Sequence, residues 1–442
     1  MIEGQPIPER VLPSSTEVVI VGAGLSGLFL ACCLADCGIN FVIIDSKIEP
    51  DFKNAYYLLS LPIAKSWGIN WPSGSQNTIT GATIFDPTGN PIQVVPPNPE
   101  VEGFSPVSQL VLEKFLKTKL IRSKQQPPYY QTCFRGAKET DKGIVVNTSL
   151  GLINAELVID ATGWPGVVFH SQYPPEDFLM TGLWGSNYQT PNIDPRILYF
   201  IFGLPETNTN WAMPIGENKS QILAGQYGPI SSIEQWWGKN AEQALQTIIG
   251  IYKLAGFKIE AINEQTPRRM GFRQQPAARR YFRGRIIPFG EAAGLNNPLH
   301  GQLIDGLPYY GKKLAEIIKE AKESNRWDSV GEKFFQFFIQ FPPFIYFLHM
   351  VLRQNQVRSS EQGQAKPSTI IKLASQNFGD QVIGLLQANG FSPDQIRILI
   401  THHPFEIISW FFQSVPSFIF VAARCPFLLL QLIDGLRRSY RR

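Results

Sequence analysis

Hydrophobic and polar positions change their period several times along the chain, and each change marks an element. Residues 18–21 (VVIV) form a short, continuous run of β-branched apolar residues, which reads as a buried strand. From Leu25 to about Cys37 apolar and small residues recur at helical spacing, Gly38 supplies a stop, and residues 41–45 (FVIID) read as a second buried strand. Residues 51–103 hold so many turn formers that short strands and loops are expected there. The spacing predicts an amphipathic helix over residues 105–120. Residues 143–160 read as a β-hairpin that runs into a buried strand at 157–160 and a small-residue turn at 161–163. Strand patterns and turns alternate over 180–230, with a hairpin around 216–219, and residues 232–256 look helical. A last buried strand is expected at 286–289 (IIPF), and a further helix starts near Gln302 or Leu303. Beyond residue 325 the pattern turns aromatic. Residues 334–352 and 407–423 are uncharged runs of 19 and 17 residues, close to membrane-spanning length, but Pro342, Pro343 and Pro416 argue against simple spans.

Two glycine-rich turns carry the candidate chemistry. In the first, Gly22, Gly24 and Gly27 have G-x-G-x-x-G spacing between a strand and a helix, and Asp45 lies 18 residues beyond Gly27 at the end of the next strand. Gly22 permits the tight turn, Gly24 lets a pyrophosphate approach the backbone, and Gly27 lets helix and strand pack. Leu25 and Ser26 open the helix whose N-terminus faces the phosphates, and Asp45 accepts from a ribose hydroxyl. This order predicts a dinucleotide site without separating FAD from NAD. The second turn, residues 289–307 (FGEAAGLNNPLHGQLIDGL), follows a buried strand. Gly290 turns the chain, Glu291 stands where a carboxylate accepts from a sugar-alcohol hydroxyl, and Pro298 and Gly301 shape a loop before a helix N-terminus at Gln302. A second distant loop suits an extended cofactor such as FAD, whose ribitol and ring reach far beyond the first turn.

Composition sets outer limits. A chain of 442 residues holds two or more domains, and a net charge of +4 is too small to imply nucleic acid. Five cysteines show neither metal-ligand spacing nor a disulfide framework, so a reducing, cytoplasmic setting is expected, with core packing for Cys32, Cys33 and Cys37. His402 and His403 lack a third ligand nearby, so no metal site is expected. Seven arginines fall between Arg268 and Arg285, either as contacts to an anionic lipid or phosphorylated substrate or as a solvated face. The chain is therefore read as α/β (α+β). It would have a Rossmann-like FAD/NAD(P)-binding domain from residues 15–50, 100–165 and 284–325, and an inserted β-sheet substrate domain from 51–99 and 166–283. A helical, Phe-rich extension over 326–442 would dock on a membrane surface, pack on the core or form a homodimer.

The sequence resembles the FAD-dependent superfamily of p-hydroxybenzoate hydroxylase-type monooxygenases, geranylgeranyl reductases, flavin-dependent halogenases and lycopene cyclases. "GAGLSG" with Asp45 resembles its ADP-binding turn, "SQLVLEKFL" the helix whose Arg or Gln touches FAD, "DATGWPG" its "DATG" turn and "FGEAAGLNNPLHGQ" its ribitol-binding motif. The resemblance implies FAD as cofactor, with Gln109 and Gly163 joining the residues named above. It departs from the family at Glu291, where an Asp is usual, and no "DG" motif for NADPH contact is found. "TNWAMP" matches the reductase and halogenase strands only at Trp211 and Pro214, no halogenase lysine is matched and the cyclase "FLEE" signature is missing. The reading is an FAD-dependent oxidoreductase of a lipophilic or aromatic small molecule, as monooxygenase or prenyl-type reductase, with NAD(P)H as a candidate external reductant. The alternatives are a carotenoid cyclase using reduced FAD without net redox change and, below it, a halogenase. No catalytic residue is assigned beyond His300, a weak candidate inside the flavin loop.

Overall fold

The computed structural model describes residues 11–48, 55–66, 68, 77–100, 103–163, 166–170, 178–262, 267–274, 277, 279–296, 303–304, 306–340, 350–352, 354–355, 357–358, 373, 398–399 and 401–425. The apolar run after Glu17 forms β1 (Ser15–Val21), which leads through the glycine turn into α1 (Leu25–Asp36) and β2 (Phe41–Ile44). Then come β3 (Tyr56–Ser60), α2 (Leu61–Ser66), β4 (Gly81–Phe85), β5 (Pro91–Val95), β6 (Phe104–Ser108) and α3 (Gln109–Arg122). A meander of β7 (Phe134–Thr140), β8 (Gly143–Thr148) and β9 (Gly151–Asp160) follows.

These segments close one six-stranded sheet of order β2-β1-β9-β8-β7, with β16 (Ile286–Pro288) added beside β9. β1 pairs in parallel with β2 and β9, and β16 pairs in parallel with the end of β9 that β8 leaves free. The central strands are apolar throughout because both faces are covered, as parallel sheets require. α1 packs on this sheet with α3 and α7 (Leu307–Ser324), and the shared core runs from Val18 to Phe335. Cys32 and Cys33 belong to that core, and burial pushes both thiols up to about 12.

The middle of the chain builds an eight-stranded sheet. After α4 (Val167–His170) come β10 (Leu179–Gln189), β11 (Ile197–Ile201), β12 (Thr209–Gly216) and β13 (Lys219–Pro229), then α5 (Ile230–Trp236) and α6 (Lys239–Leu254), and finally β14 (Glu260–Ala261) and β15 (Arg268–Arg273). The order is β14-β10-β13-β12-β11-β4-β5, with β15 also on β10. One face is covered by α5 and α6 through Tyr188, Ile222, Ile248 and Tyr252.

The other face meets a two-stranded sheet made by β3 and β6, and this ribbon separates the two large sheets. Strand alternation gives it two different sides. Tyr57, Leu59 and Val107 turn toward the first sheet's helices, with Leu112, Ile304 and Leu25. Tyr56, Leu58 and Phe104 turn toward the second sheet, with Leu198, Met213 and Trp211.

Several expectations change. The helix over 105–120 begins at Gln109, because Phe104–Ser108 is taken up by pairing with β3, and the Ser108 hydroxyl caps α3 by accepting from the Val111 N–H. Residues 232–256 divide into α5 and α6 at Gly238, whose φ of +96° does not continue a helix. The helix expected near Gln302 begins at Leu307 instead, with Gly306 as its N-cap and proline in its first turn. The arginine cluster is largely engaged within the protein: Arg269 lies over the Trp237 ring at 3.7 Å, Arg285 pairs with Asp328 and Glu156, and Arg279 pairs with Glu332. The Phe-rich extension is not uniform either. α8 (Val330–Gln340) buries Phe334 and Phe335 against Phe282, whereas α9 (Pro404–Arg424) keeps much of its apolar side exposed and continues through Pro416.

Leu59 is fully buried in the ribbon between the sheets. Leu59→Ala should therefore lower the unfolding free energy by about 2–5 kcal/mol in urea denaturation, with no loss of native secondary structure under folding conditions.

Candidate functional site

Three parallel strands, β1, β9 and β16, end side by side, and the loops that leave them meet. Val21 lies opposite Ile44 and Asp160, and Pro288 lies opposite Asp160. Gly22 adopts φ +108°, and a Cβ there would sit 2.7 Å from the Ala161 carbonyl carbon. A Cβ on Gly27 would press into the Gly22 carbonyl oxygen. Gly290, at φ +66°, lies so close to Ser26 that the two Cβ positions would be 2.6 Å apart. The two small-residue turns, far apart in sequence, are one structure in space.

Gly24 is different. Its φ is an ordinary −76°, and a Cβ there would meet nothing within 4 Å among the described residues. Open space therefore stands before α1, whose N-cap makes no side-chain hydrogen bond. The N–H groups of Leu25, Ser26 and Gly27 have no intrahelical partner. Space and free donors at a helix N-terminus fit an anionic pyrophosphate. Asp45 braces this turn: its Oδ2 accepts from the Ala23 N–H at 2.7 Å and its Oδ1 from the Lys47 N–H at 2.9 Å. Each oxygen retains a lone pair for a ribose hydroxyl.

Asp160 is the buried anchor of the neighbouring turn. Its Oδ1 accepts from the Thr162 N–H at 3.1 Å and hydroxyl at 2.6 Å, and its Oδ2 accepts from the Val168 N–H at 3.1 Å. This holds Gly163 in front of Glu291, with 3.5 Å between a Cβ at Gly163 and Glu291 Oε2. Glu291 is the second residue of a short 3₁₀ turn, Gly290–Ala293. Enclosed on most sides but still touching solvent, its carboxyl is pushed by burial up to about 7, while Lys47 acts in the opposite direction. Among the described residues no hydrogen bond contributes to that shift, and Glu291 Oε2 faces the space beside Gly163.

Gln109 begins α3, and its amide is held at both ends. Tyr57 Oη donates to Gln109 Oε1 at 3.3 Å, and Gln109 Nε2 donates to Glu113 Oε1 at 2.7 Å. Glu113 is 1% exposed, its Oε2 has no hydrogen-bond partner among the described residues, and burial raises its pKa. The Tyr57 hydroxyl is itself pushed far up by burial, with Glu291 and Glu113 adding to the effect. Tyr57 and Glu113 were not singled out from the sequence. Glu113 stands at i+4 from Gln109, a spacing that brings side chains together on a helix, but no sequence signal marks Tyr57. Pro298, His300, Gly301 and Gln302 lie outside the described residues.

These residues fit FAD. A cradle at Gly24 would take phosphates, Asp45 a ribose and Glu291 beside Gly163 a hydroxyl-rich linker, and Glu113 and Gln109 would offer polar contacts along α3.

Gly27→Ala should destabilise the flavin-free protein by about 2–4 kcal/mol in denaturant. Gly24→Ala should cost under about 1 kcal/mol yet weaken FAD binding, read by quenching of flavin fluorescence, by at least tenfold. Glu291 gives a pH test. Because its folded-state pKa lies above the ordinary 4.5, the folded protein keeps a proton that the unfolded chain releases between pH 4.5 and about 7. Stability thus falls as pH rises through that window, and the whole penalty is present above it. Glu291→Gln should leave the melting temperature of the flavin-free protein nearly unchanged at pH 4.5. At pH 8 it should raise stability by about 1–2 kcal/mol, discounted for partial solvent contact.

Comparison with known proteins agrees with this geometry. Residues 15–51 match a family described as the FAD binding domain. A geranylgeranyl bacteriochlorophyll reductase-like protein from Thermoplasma acidophilum superposes with TM-score 0.67 at 15% identity, covering 90% of this chain and 98% of the other. A flavin-dependent brominase gives 0.63 at 14%, with coverages of 88% and 99%. The p-nitrophenol 4-monooxygenase of Pseudomonas putida gives 0.55 at 15%, with 83% and 98%. At such identities the likeness is one of fold. The chain carries the fold that this reductase-like protein, the brominase and the monooxygenase share, and its residues 15–51 match the FAD binding domain family.

Proposed function

We propose that the protein is an FAD-dependent oxidoreductase acting on an apolar or aromatic small molecule, as a monooxygenase or a prenyl-type reductase. The observation that carries the substrate class is the face of the eight-stranded sheet opposite α5 and α6. There Leu198 and Met213 are buried, while Phe200, Trp211 and Ile215, with Tyr56 of the ribbon that meets this face, are only partly covered. An apolar wall with half-open aromatic rings suits a flat or extended hydrocarbon better than a charged ligand. The wall is one residue of β3 away from the cofactor side, since Tyr56 belongs to it and Tyr57 reaches Gln109.

Bound FAD would supply the redox chemistry, accepting a hydride from a donor for which NAD(P)H is the candidate, and passing electrons to substrate or oxygen. The chain's own residues do the rest. Backbone donors at the head of α1 and the Asp45 carboxylate orient the dinucleotide end. Glu291 holds or releases a proton near neutral pH beside Gly163 and accepts from a hydroxyl when ionised. The hydroxyl of Tyr57 and the carboxyl of Glu113 fix the Gln109 amide. The aromatic wall keeps water from the reacting groups, which strengthens every polar contact behind it.

Purified protein should bind FAD, and the bound flavin should be reducible by NADPH or NADH at a rate that rises with a suitable apolar substrate. Trp211→Ala should weaken binding of such a substrate by about tenfold or more while FAD affinity stays within a factor of two. A protein that takes up no FAD, or a wall variant that changes FAD and substrate affinity alike, would overturn the assignment.

A further inference from the structure

The outer side of α9 has no task in the flavin site, and its chemistry is unusual for a surface helix. Trp410, Ser414, Ser417 and Val421 are buried at i, i+4, i+7 and i+11, so one side lies against the protein. Ser414 Oγ accepts from Asn355 Nδ2 at 2.5 Å and donates to the Trp410 carbonyl at 2.7 Å, fixing that side. Phe405, Ile408, Phe412, Val415 and Ile419, at i, i+3, i+7, i+10 and i+14, occupy the opposite side. Phe405 is 82% exposed, Phe412 70% and Ile419 64%. Between Glu406 and Arg424 no residue is charged, although most of that outer side meets solvent. Every exposed phenylalanine among the described residues is on this helix.

We infer that α9 docks the protein on an anionic lipid surface, lying along it with this stripe in the headgroup–acyl boundary. A helix of 21 residues is about 30 Å long, enough to cross a bilayer, and it is the one described helix apolar and long enough to do so. Its buried side argues against crossing, because Ser414 is tied to Asn355 and Trp410, Ser417 and Val421 are buried. An interfacial helix needs only one apolar side. Charge selects lipid over a second copy of the chain. Arg424 closes the helix, and the sequence beyond it carries Arg437, Arg438, Arg441 and Arg442 against Asp434 alone. In a two-fold pair both partners would bring the same positive tail, whereas an anionic surface attracts it. This inference does not depend on the oxidoreductase reading.

Vesicle flotation of the full-length, FAD-loaded protein tests it. Wild type should float with vesicles of phosphatidylcholine containing phosphatidylserine, and less with phosphatidylcholine alone or at high salt. Phe405→Ser/Phe412→Ser/Ile419→Ser should lower the bound-to-free ratio by at least about tenfold at unchanged melting temperature and flavin content. If the triple variant melts lower, the single Phe405→Ser, at the most exposed position, carries the comparison with an expected drop of about threefold or more. Wild type that stays unbound in both lipids overturns the inference, as do variants that float equally well. A wild-type dimer that the same substitutions split into monomers assigns the stripe to a second copy and also overturns it.

Discussion

No side chain fits where β1, β9 and β16 end. A Cβ on Gly22 would meet the backbone of Ala161, one on Gly27 the carbonyl of Gly22, and one on Gly290 the side chain of Ser26. Protein interiors are packed as densely as organic crystals, so such contacts do not relax by small adjustments. The arrangement of the rest follows from this close approach. Three segments distant in sequence must present small residues at one level, and the helix that starts there leaves its first N–H groups facing open space. Glu291 is then carried to the neighbouring turn, beside Gly163.

Around this point the acidic groups divide by how well they are hydrogen-bonded. Asp160 accepts three bonds and Asp45 two, and both hold backbone in place. Glu291 and Glu113 are enclosed with fewer partners, and burial raises both. A buried carboxyl whose charge is left under-compensated costs stability, and such groups gather where a ligand completes them. On this basis Asp160 is architectural, and Glu291 with Glu113 is left poised for a partner that the fold itself does not supply.

The first βαβ unit was legible because every part is local: a β-branched run, a fixed glycine spacing and an acid at the end of the next strand. The second glycine turn was legible as chemistry, but its contact with Ser26 was not, since nothing in a linear pattern says which loops will meet. The ribbon of β3 and β6 escaped for a related reason. Residues 104–108 carry only five positions of pattern, and their neighbour in sequence is a strong helix whose period they join by chance. Pairing with β3, an interaction across more than 40 residues, decided their state. Tyr57 was invisible on the same account, because its importance comes from which side of that ribbon it faces. In the extension the Phe-rich composition was plain, yet only the fold separates Phe334, packed on Phe282, from Phe412, left outside.

The topology of the first sheet has a consequence for how the chain is made. Val18 finds its partner at Leu157, and the end of β9 gains its outer neighbour only when Ile286 arrives. At ribosomal speeds of about 5–20 residues per second, the apolar edges of β1 and β9 wait several seconds and then several more for their partners. Parallel pairing over such distances also closes slowly. The nascent chain therefore exposes these apolar strand edges while it is still being made, and early collapse of α1 onto β1 and β2 would shelter them until their partners arrive.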